Sequence, residues 1–435
     1  MKLEKRNKRK FRIDVFILLP AILLSIIGVI TLLSTTLGID GVFEDTEIVN
    51  KQIAFLIIGF ISYLLISLID ISLLKHWEVV LPIYIGTLLL LLSVFIWGPE
   101  INGVQRWLVV GGIQIQPSEI AKITVIFTTA CVFGFKDRYN QWLLLLISFL
   151  LVLPLIILIY LEPAGSMSLL TLTIWFLVAF TGLSNQLRNT VALILLTLFT
   201  LPFLLISITG NWIYIILGIV GVILSIFAYY FRDTWRLVVI LSVVIGIVLG
   251  LSSLVMYKGV LREYQKDRIE AFLNPTENSG DIGFNVNQAR IAIGSGQIWG
   301  KGFGNGTQSK RDFLPEHQTD FIYASFAEEF GLVGSLFLLF LFSVIIIRGL
   351  VVSVDNSNDS FLSMILIGIV MKILLEIFIN VGTNTGLIPA TGIPLPLISA
   401  GGTITVMTLF ALGVIQSIMN RSQVTKNNSN IIDNY

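Results

Sequence analysis

About a dozen apolar stretches, each long enough to cross roughly 30 Å of hydrocarbon as a helix, fill most of this chain. They fall at 15–36, 53–74, 79–97, 118–135, 142–161, 167–184, 189–208, 212–231, 236–256, 325–350, 360–382 and 402–419. Too little polar surface remains to keep such a chain in water. Charged residues make up 13% of its 435 residues, hydrophobic ones 55%, and the mean hydropathy is +0.89. Soluble domains carry about 25% charge. A water-soluble enzyme, a fibre and a disordered chain are all excluded. The expected fold is an all-α polytopic integral membrane protein of about twelve transmembrane helices.

Net charge is +1, from 28 basic and 27 acidic residues, so no global basic field draws in nucleic acid. One cysteine, Cys131, rules out an intrachain disulfide. With only His76 and His317, a multi-histidine metal site is excluded too.

Orientation follows from Lys and Arg in short loops. Seven basic residues precede the first span, which lacks a small-residue cleavage site and is expected to be an uncleaved anchor. With twelve alternating spans, Lys75, Lys136, Arg138, Arg188, Arg232, Arg236, Arg348, Arg421 and Lys426 share that side, while Lys51 and Arg106 oppose them. Both termini are therefore expected in the cytoplasm. The organisation reads as a basic N-terminus (1–14), helices 1–9 (15–256), a large extracytoplasmic loop (257–324), helices 10–12 (325–420) and a tail (421–435). The divisions within 189–256 are the weakest, resting on a Thr209-Gly210-Asn211 turn and the Arg232–Arg236 break. The loop carries eight basic and eight acidic residues and many glycines, and water-facing chemistry belongs there.

Four polar constellations interrupt the apolar background. Arg106-Trp107 leads through Gly111-Gly112 to Gln116-Pro117-Ser118-Glu119-Ile120-Ala121-Lys122. Pro117 suits a first helical turn, and Gln116 or Ser118 could serve its free amides. Glu119 and Lys122 share a face, either as an ion pair beside an interfacial Trp or as a charged outer lip for a substrate headgroup. Lys372 and Glu376, four apart in an apolar span, face a protein interior or a wet cavity, as a structural pair or as chemistry. Glu162, before Pro163, marks a helix break. The glycines around Lys301 and Gln308 fail as a phosphate loop, because Ser295 stands where Gly is needed and Gly302 follows Lys301. Turn formation is their default role.

The run Pro315-Glu316-His317-Gln318-Thr319-Asp320-Phe321 enters the next span. Asp320 lies among apolar neighbours near the membrane surface, either as a potential base or, with Thr319, as a helix cap. Finally, Asn380 to Pro396 contains three prolines within eight residues, which is expected to forbid a helix there. An apolar non-helical stretch must be packed in protein or line a cavity, so a re-entrant or packed outer loop is expected.

Taken together, the blocks Gly103–Lys122, Tyr264–Gly331 and Asn380–Gly402 resemble the SEDS family of RodA, FtsW and SpoVE. Members polymerise lipid II into glycan strands on the outer membrane face, usually with a class B penicillin-binding protein. The resemblance implies a peptidoglycan glycosyltransferase of the bacterial cytoplasmic membrane. It places the family's essential acid, in Thr-Asp-Phe-Ile, at Asp320 and outweighs the capping reading. It also implies substrate contacts at Arg106, Trp107, Glu119, Lys122, Lys301, Gln308, Glu316 and Thr319, with a divalent Mg or Mn ion at the diphosphate. Departures exist. Ala164 stands where an Asp is usual, Thr383 where Met is common, Ala400 where Tyr is common, and Gln318 where His is frequent. The family typically has ten spans, so a surplus hairpin is expected within 189–256. A divergent paralogue results, with two rival readings: a flippase for a lipid-linked precursor, using Lys372 and Glu376, or a weakly catalytic scaffold for the penicillin-binding protein.

Overall fold

The computed structural model describes residues 12–37, 43, 46–100, 104–231, 233–259, 265–266, 268–269, 272, 281–310 and 316–432. Several residues singled out above lie outside these: the basic residues before Arg12, Gly103, Arg232, Tyr264 and Pro315. The chain forms two compact units, 1–182 with 279–435, and 183–278.

The larger unit begins with α1 (Val15–Thr35), α2 (Glu47–Leu68) and α3 (Trp77–Trp97). A short antiparallel hairpin follows, β1 (Leu108–Val110) and β2 (Ile113–Ile115), with Leu108 opposite Ile115. Then come α4 (Pro117–Phe133), α5 (Gln141–Leu161) and α6 (Gly165–Gly182). The smaller unit holds α7 (Gln186–Thr209), α8 (Ile215–Phe231) and α9 (Arg236–Gly259). The larger unit resumes with α10 (Asp281–Gly296), α11 (Ile322–Asp355), α12 (Ser360–Thr385) and α13 (Gly402–Ile432).

Eleven helices among the described residues are long and apolar enough to cross a membrane. The stretch expected at 118–135 is α4, with 17 residues, of which only Ile120 and Val132 are not buried. It is walled in by α3, α5, α6, α12 and α13. That enclosure permits its polar content: a helix that meets protein on every side need not be greasy enough for lipid. Pro117 occupies its first turn as expected. Neither proposed cap forms, however. Gln116 makes no side-chain cap and Ser118 Oγ has no partner, whereas Thr403 Oγ1 accepts from Gln116 N at 2.9 Å.

The described residues of the outer loop hold more helix than their glycines suggest. α10 packs Ala289 and Ala292 against Phe321 and Ala324, so a helix of 16 residues occupies part of the segment read as turns. Its fully buried contacts are two alanines, with Val286 and Ile293 half-buried beside them, so its apolar side is short and weak in a hydropathy profile. The next segment docks on α11 backbone to backbone: Lys301 N donates to Glu328 O at 3.0 Å and Leu332 N to Gln297 O at 2.9 Å. Gly331 makes this possible. Its φ of +65 kinks α11, and a Cβ there would sit 2.3 Å from Gly300 N.

Residues 387–401 are non-helical, and Ile393, Leu395, Leu397, Ile398 and Ser399 within them are buried. The packed-loop expectation holds for these residues, whereas 380–385, expected to be non-helical with them, continue α12, because the first proline comes only at Pro389. Gly28 of α1 lets this segment approach, since a Cβ there would meet Leu397 O at 2.5 Å.

At the opposite end of the unit, Arg348 pairs with Asp14 (2.7 Å), Lys75 with Asp359 (2.7 Å) and Arg421 with Asp70 (3.6 Å). Three basic residues expected on one side therefore gather there. In the smaller unit, Leu195, Ala228 and Val239 form the core. Ile216, Ile219, Ile223 and Phe227 of α8 remain exposed, as helices facing lipid do.

Candidate active site

The segment entering α11 is held by its own backbone. The carbonyls of three consecutive residues all accept hydrogen bonds from 380–400. Ala400 N donates to Gln318 O at 2.8 Å, and Ser399 Oγ to Thr319 O at 2.6 Å. Asn380 Nδ2 and Asn384 Nδ2 both donate to Asp320 O at 2.9 Å. Phe321, next in sequence, is anchored in the alanine cluster of α10. Glu316, with φ of +54, closes the turn by accepting from Thr319 N and Phe321 N, and its carboxylate takes the Thr319 hydroxyl at 2.7 Å. Asp320, Thr319 and His317 are half-buried, and Glu316 is exposed. Residue 321, not Thr319, stands at the N-cap of α11 and lends it no side-chain bond. A partner from another helix serves instead, as Asn384 Oδ1 accepts from Ala324 N at 3.0 Å.

Deeper in the unit, two pairs that looked separate in the sequence become one network. Lys122 Nζ donates to Glu119 Oε1 at 2.7 Å and to Glu376 Oε1 at 2.6 Å, and Lys372 Nζ reaches Glu376 Oε2 at 2.8 Å. All four side chains have zero exposure. Two lysines and two glutamates alternate, so the tetrad is neutral overall. Charges buried this deeply persist only when paired. The outer-lip reading of Glu119 and Lys122 is corrected accordingly. Lys122 is fully enclosed, with both nearby carboxylates on it, and it ties α4 to α12.

Lys301 and Gln308 are also engaged within the protein. Glu328, buried in the first turns of α11, accepts from Lys301 Nζ (2.6 Å), Thr307 N (2.9 Å), Thr307 Oγ1 (2.8 Å) and Gln308 N (3.2 Å). One buried carboxylate thus gathers the glycine-rich segment around itself, and the ammonium of Lys301 balances its charge.

Arg106 and half-buried Trp107 precede β1. The guanidinium of Arg106 donates from Nε to Glu162 O at 3.3 Å and from Nη2 to Pro163 O, capping the end of α5. Glu162, read from sequence as a mere helix break, carries a carboxyl 1% exposed with neither oxygen hydrogen-bonded. Burial pushes its pKa up to about 8, against the pull of Arg106. Ala164, where the family resemblance led one to expect an acid, is buried beside it in sequence.

The structure therefore joins Glu316, Thr319 and Asp320 in one pinned turn, and Glu119, Lys122, Lys372 and Glu376 in one tetrad. It leaves Lys301 with Gln308, and Arg106 with Trp107, in two other clusters. Sequence reasoning missed Asn380, Asn384 and Ser399 as holders of the turn. A signal was there: 372, 376, 380 and 384 recur every four residues along one ridge of α12. Among the described residues, no three His, Cys, Asp or Glu side chains converge as a metal cage. A divalent ion carried on a diphosphate needs few protein ligands, and the chemistry proposed below routes no step through one.

The pinned acid, the two asparagines that hold it and the packed proline loop fall in the same blocks that suggested the resemblance. The cell cycle protein family of FtsW, RodA and SpoVE matches residues 14–214 and 210–424. The chain belongs to this family. It is a multi-pass membrane protein. The match restarts at residue 210, inside the stretch to which a surplus hairpin was assigned. FtsW of Bacillus subtilis (strain 168), a probable peptidoglycan glycosyltransferase, is 31% identical over 371 residues, covering 85% of this chain and 80% of its own. The peptidoglycan glycosyltransferase MrdB of Escherichia coli (strain K12) is 28% identical over 382 residues, 86% of each chain. Among solved structures, a chain of a peptidoglycan synthase complex that coordinates polymerization and crosslinking superposes with a TM-score of 0.66 at 22% identity. It covers 94% of this chain and 98% of that one, and the family fold is shared.

Proposed function

We propose that this protein is a peptidoglycan glycosyltransferase, polymerising lipid II into glycan strands at the outer face of the bacterial cytoplasmic membrane, with Asp320 as its catalytic acid/base residue. Relatives bearing that activity in their names, matched along most of their length, support the reaction class. The observation that carries the residue assignment is the pinned turn, in which Asp320 O and the two carbonyls before it are all fixed from one loop and one helix. An acid whose backbone is held this way keeps its reach to substrate constant, as general base catalysis demands.

In the proposed reaction, the 4-hydroxyl of the acceptor sugar attacks the anomeric carbon of the donor. The bond from that carbon to the diphosphate breaks, and the diphosphate leaves with the bonding electrons. Asp320 takes the hydroxyl proton. A single displacement inverts the centre, giving a β-linked glycan from an α-linked donor. Of the cations expected to contact substrate, Arg106 alone keeps that role, at the leaving diphosphate. It is half-buried at the same end as Asp320 and already oriented by two carbonyls. Lys122, enclosed in the tetrad, is withdrawn from that role. A class B penicillin-binding protein is the proposed partner. Cytoplasmic termini are proposed from the gathering of Arg348, Lys75 and Arg421 at the end opposite Asp320.

The test is polymerisation of labelled lipid II by the purified full chain, alone and with its cognate penicillin-binding protein. Asp320→Ala and Asp320→Asn are expected to abolish polymer while leaving the partner complex intact. Normal polymer from either variant sinks the assignment. Wild-type protein that makes no polymer in an intact complex moves the reading to a scaffold.

A further inference from the structure

Asn380 and Asn384 lie one turn apart near the end of α12, with 1% and 0% exposure. Every donor they possess is committed. Asn380 Nδ2 donates to Asp320 O and to Ile393 O, both at 2.9 Å. Asn384 Nδ2 donates to Asp320 O and to Asn380 O, both at 2.9 Å, while its Oδ1 accepts from Ala324 N at 3.0 Å. One carbonyl oxygen therefore receives two side-chain amides, which uses both of its lone pairs. A carbonyl at a helix entrance ordinarily takes one partner from its own chain segment. This one is gripped from outside by the same two side chains that order the packed loop at Ile393 and the first turn of α11 at Ala324.

The choice of side chain matters. An amide supplies two donors and one acceptor with no net charge, so it can grip a carbonyl in a buried place without adding a field next to a neighbouring carboxylate. A lysine there would tend to neutralise that carboxylate, and an aspartate would repel both it and the carbonyl.

We propose that Asn380 and Asn384 are positioning residues for Asp320: they fix the backbone of residue 320 so that its carboxylate meets the acceptor hydroxyl in one geometry. The inference rests on the reading of Asp320 as the catalytic acid/base. The residues touch no substrate themselves, so their loss slows the chemical step and leaves binding alone. Ser399, holding the neighbouring carbonyl of Thr319, assists in the same way with a smaller share.

The experiment compares lipid II polymerisation kinetics of wild type, Asn384→Ala, Ser399→Ala and Asp320→Ala, each as the full chain with its partner, alongside thermal melting in detergent. Expected is a fall in kcat of about 10- to 100-fold for Asn384→Ala, the scale of a small misplacement of a catalytic group. KM should stay within about threefold of wild type, because no binding contact is removed. Ser399→Ala should show the same pattern with a smaller fall. Wild-type kcat in Asn384→Ala with an inactive Asp320→Ala overturns the positioning role and spares the function. A raised KM at unchanged kcat also overturns it, by making Asn384 a binding residue. Polymer from Asp320→Ala fails the underlying reading instead, whatever the asparagine variant does. Should Asn384→Ala not fold, Ser399→Ala decides: reduced kcat at constant KM supports the proposal, and unchanged kinetics overturn it.

Discussion

The two halves of the α12 ridge solve different problems with one spacing. In the lower half, Lys372 and Glu376 carry full charges into a place with zero exposure, and they are tolerable only because Lys122 and Glu119 of α4 complete a neutral tetrad. In the upper half, Asn380 and Asn384 are equally buried but uncharged, and they hold backbone carbonyls instead of one another's charges. Twelve residues along a helix span about 18 Å, so one ridge runs from an enclosed ionic lock to the turn that bears Asp320. The comparison teaches that charge is used where the ridge meets another helix, and amides where it must grip backbone beside a working carboxylate.

The largest expected effect comes from unbalancing the lock. Glu376→Leu leaves Lys372 without its carboxylate and Lys122 with only one, and should cost about 3–5 kcal/mol, the loss typical of breaking a buried pair. Thermal unfolding in detergent reads it directly, and a variant that melts with wild type removes the tetrad from the account of stability. Next comes the amide half. Asn380→Leu strands the Ile393 carbonyl and half of the Asp320 grip, for about 1–3 kcal/mol. A larger loss here than in Glu376→Leu would invert the comparison.

Glu162 supplies the contrast of a buried carboxyl whose oxygens accept no hydrogen bond. Its folded pKa of about 8 lies above the ordinary 4.5, so the folded chain holds a proton that the unfolded chain releases between those values. Its contribution is fully present below pH 4.5 and is lost as pH rises through about 8. Glu162→Gln should therefore melt higher than wild type at pH 9, with the gap shrinking toward pH 5. A gap independent of pH would mean that the carboxyl is ionised throughout. The smallest effect belongs to the exposed pair Glu47–Lys51, 2.6 Å apart with side chains 72% and 56% exposed. Glu47→Gln should change stability by less than about 0.5 kcal/mol, marking how little an ion pair matters once water screens it.

Much of the architecture was legible because a bilayer imposes a length. Eleven of twelve expected spans are helices that meet it, and the twelfth, α4, is recognisable by its N-terminal proline although it is buried in protein. The outer helix α10 was not legible, since its buried contacts are only two alanines beside Val286 and Ile293, and glycines punctuate it at 283, 294 and 296. Within the site, Asp320 stood out through its motif. The roles of Lys301 and Lys122 did not, because a lysine looks the same in sequence whether it faces a substrate or a buried glutamate.

The sequence by itself determined that this chain crosses the membrane many times, that Glu119 and Lys122 share one helix face, and that Lys372 and Glu376 share another. Those facts depend on hydrophobic length and on the period of a single helix. Only the tertiary structure decided that Lys122 and Glu376, 254 residues apart, meet at 2.6 Å, and that two asparagines close on one carbonyl of Asp320. Helical period fixes which residues share a face, but which faces meet is set by packing among many helices of similar composition.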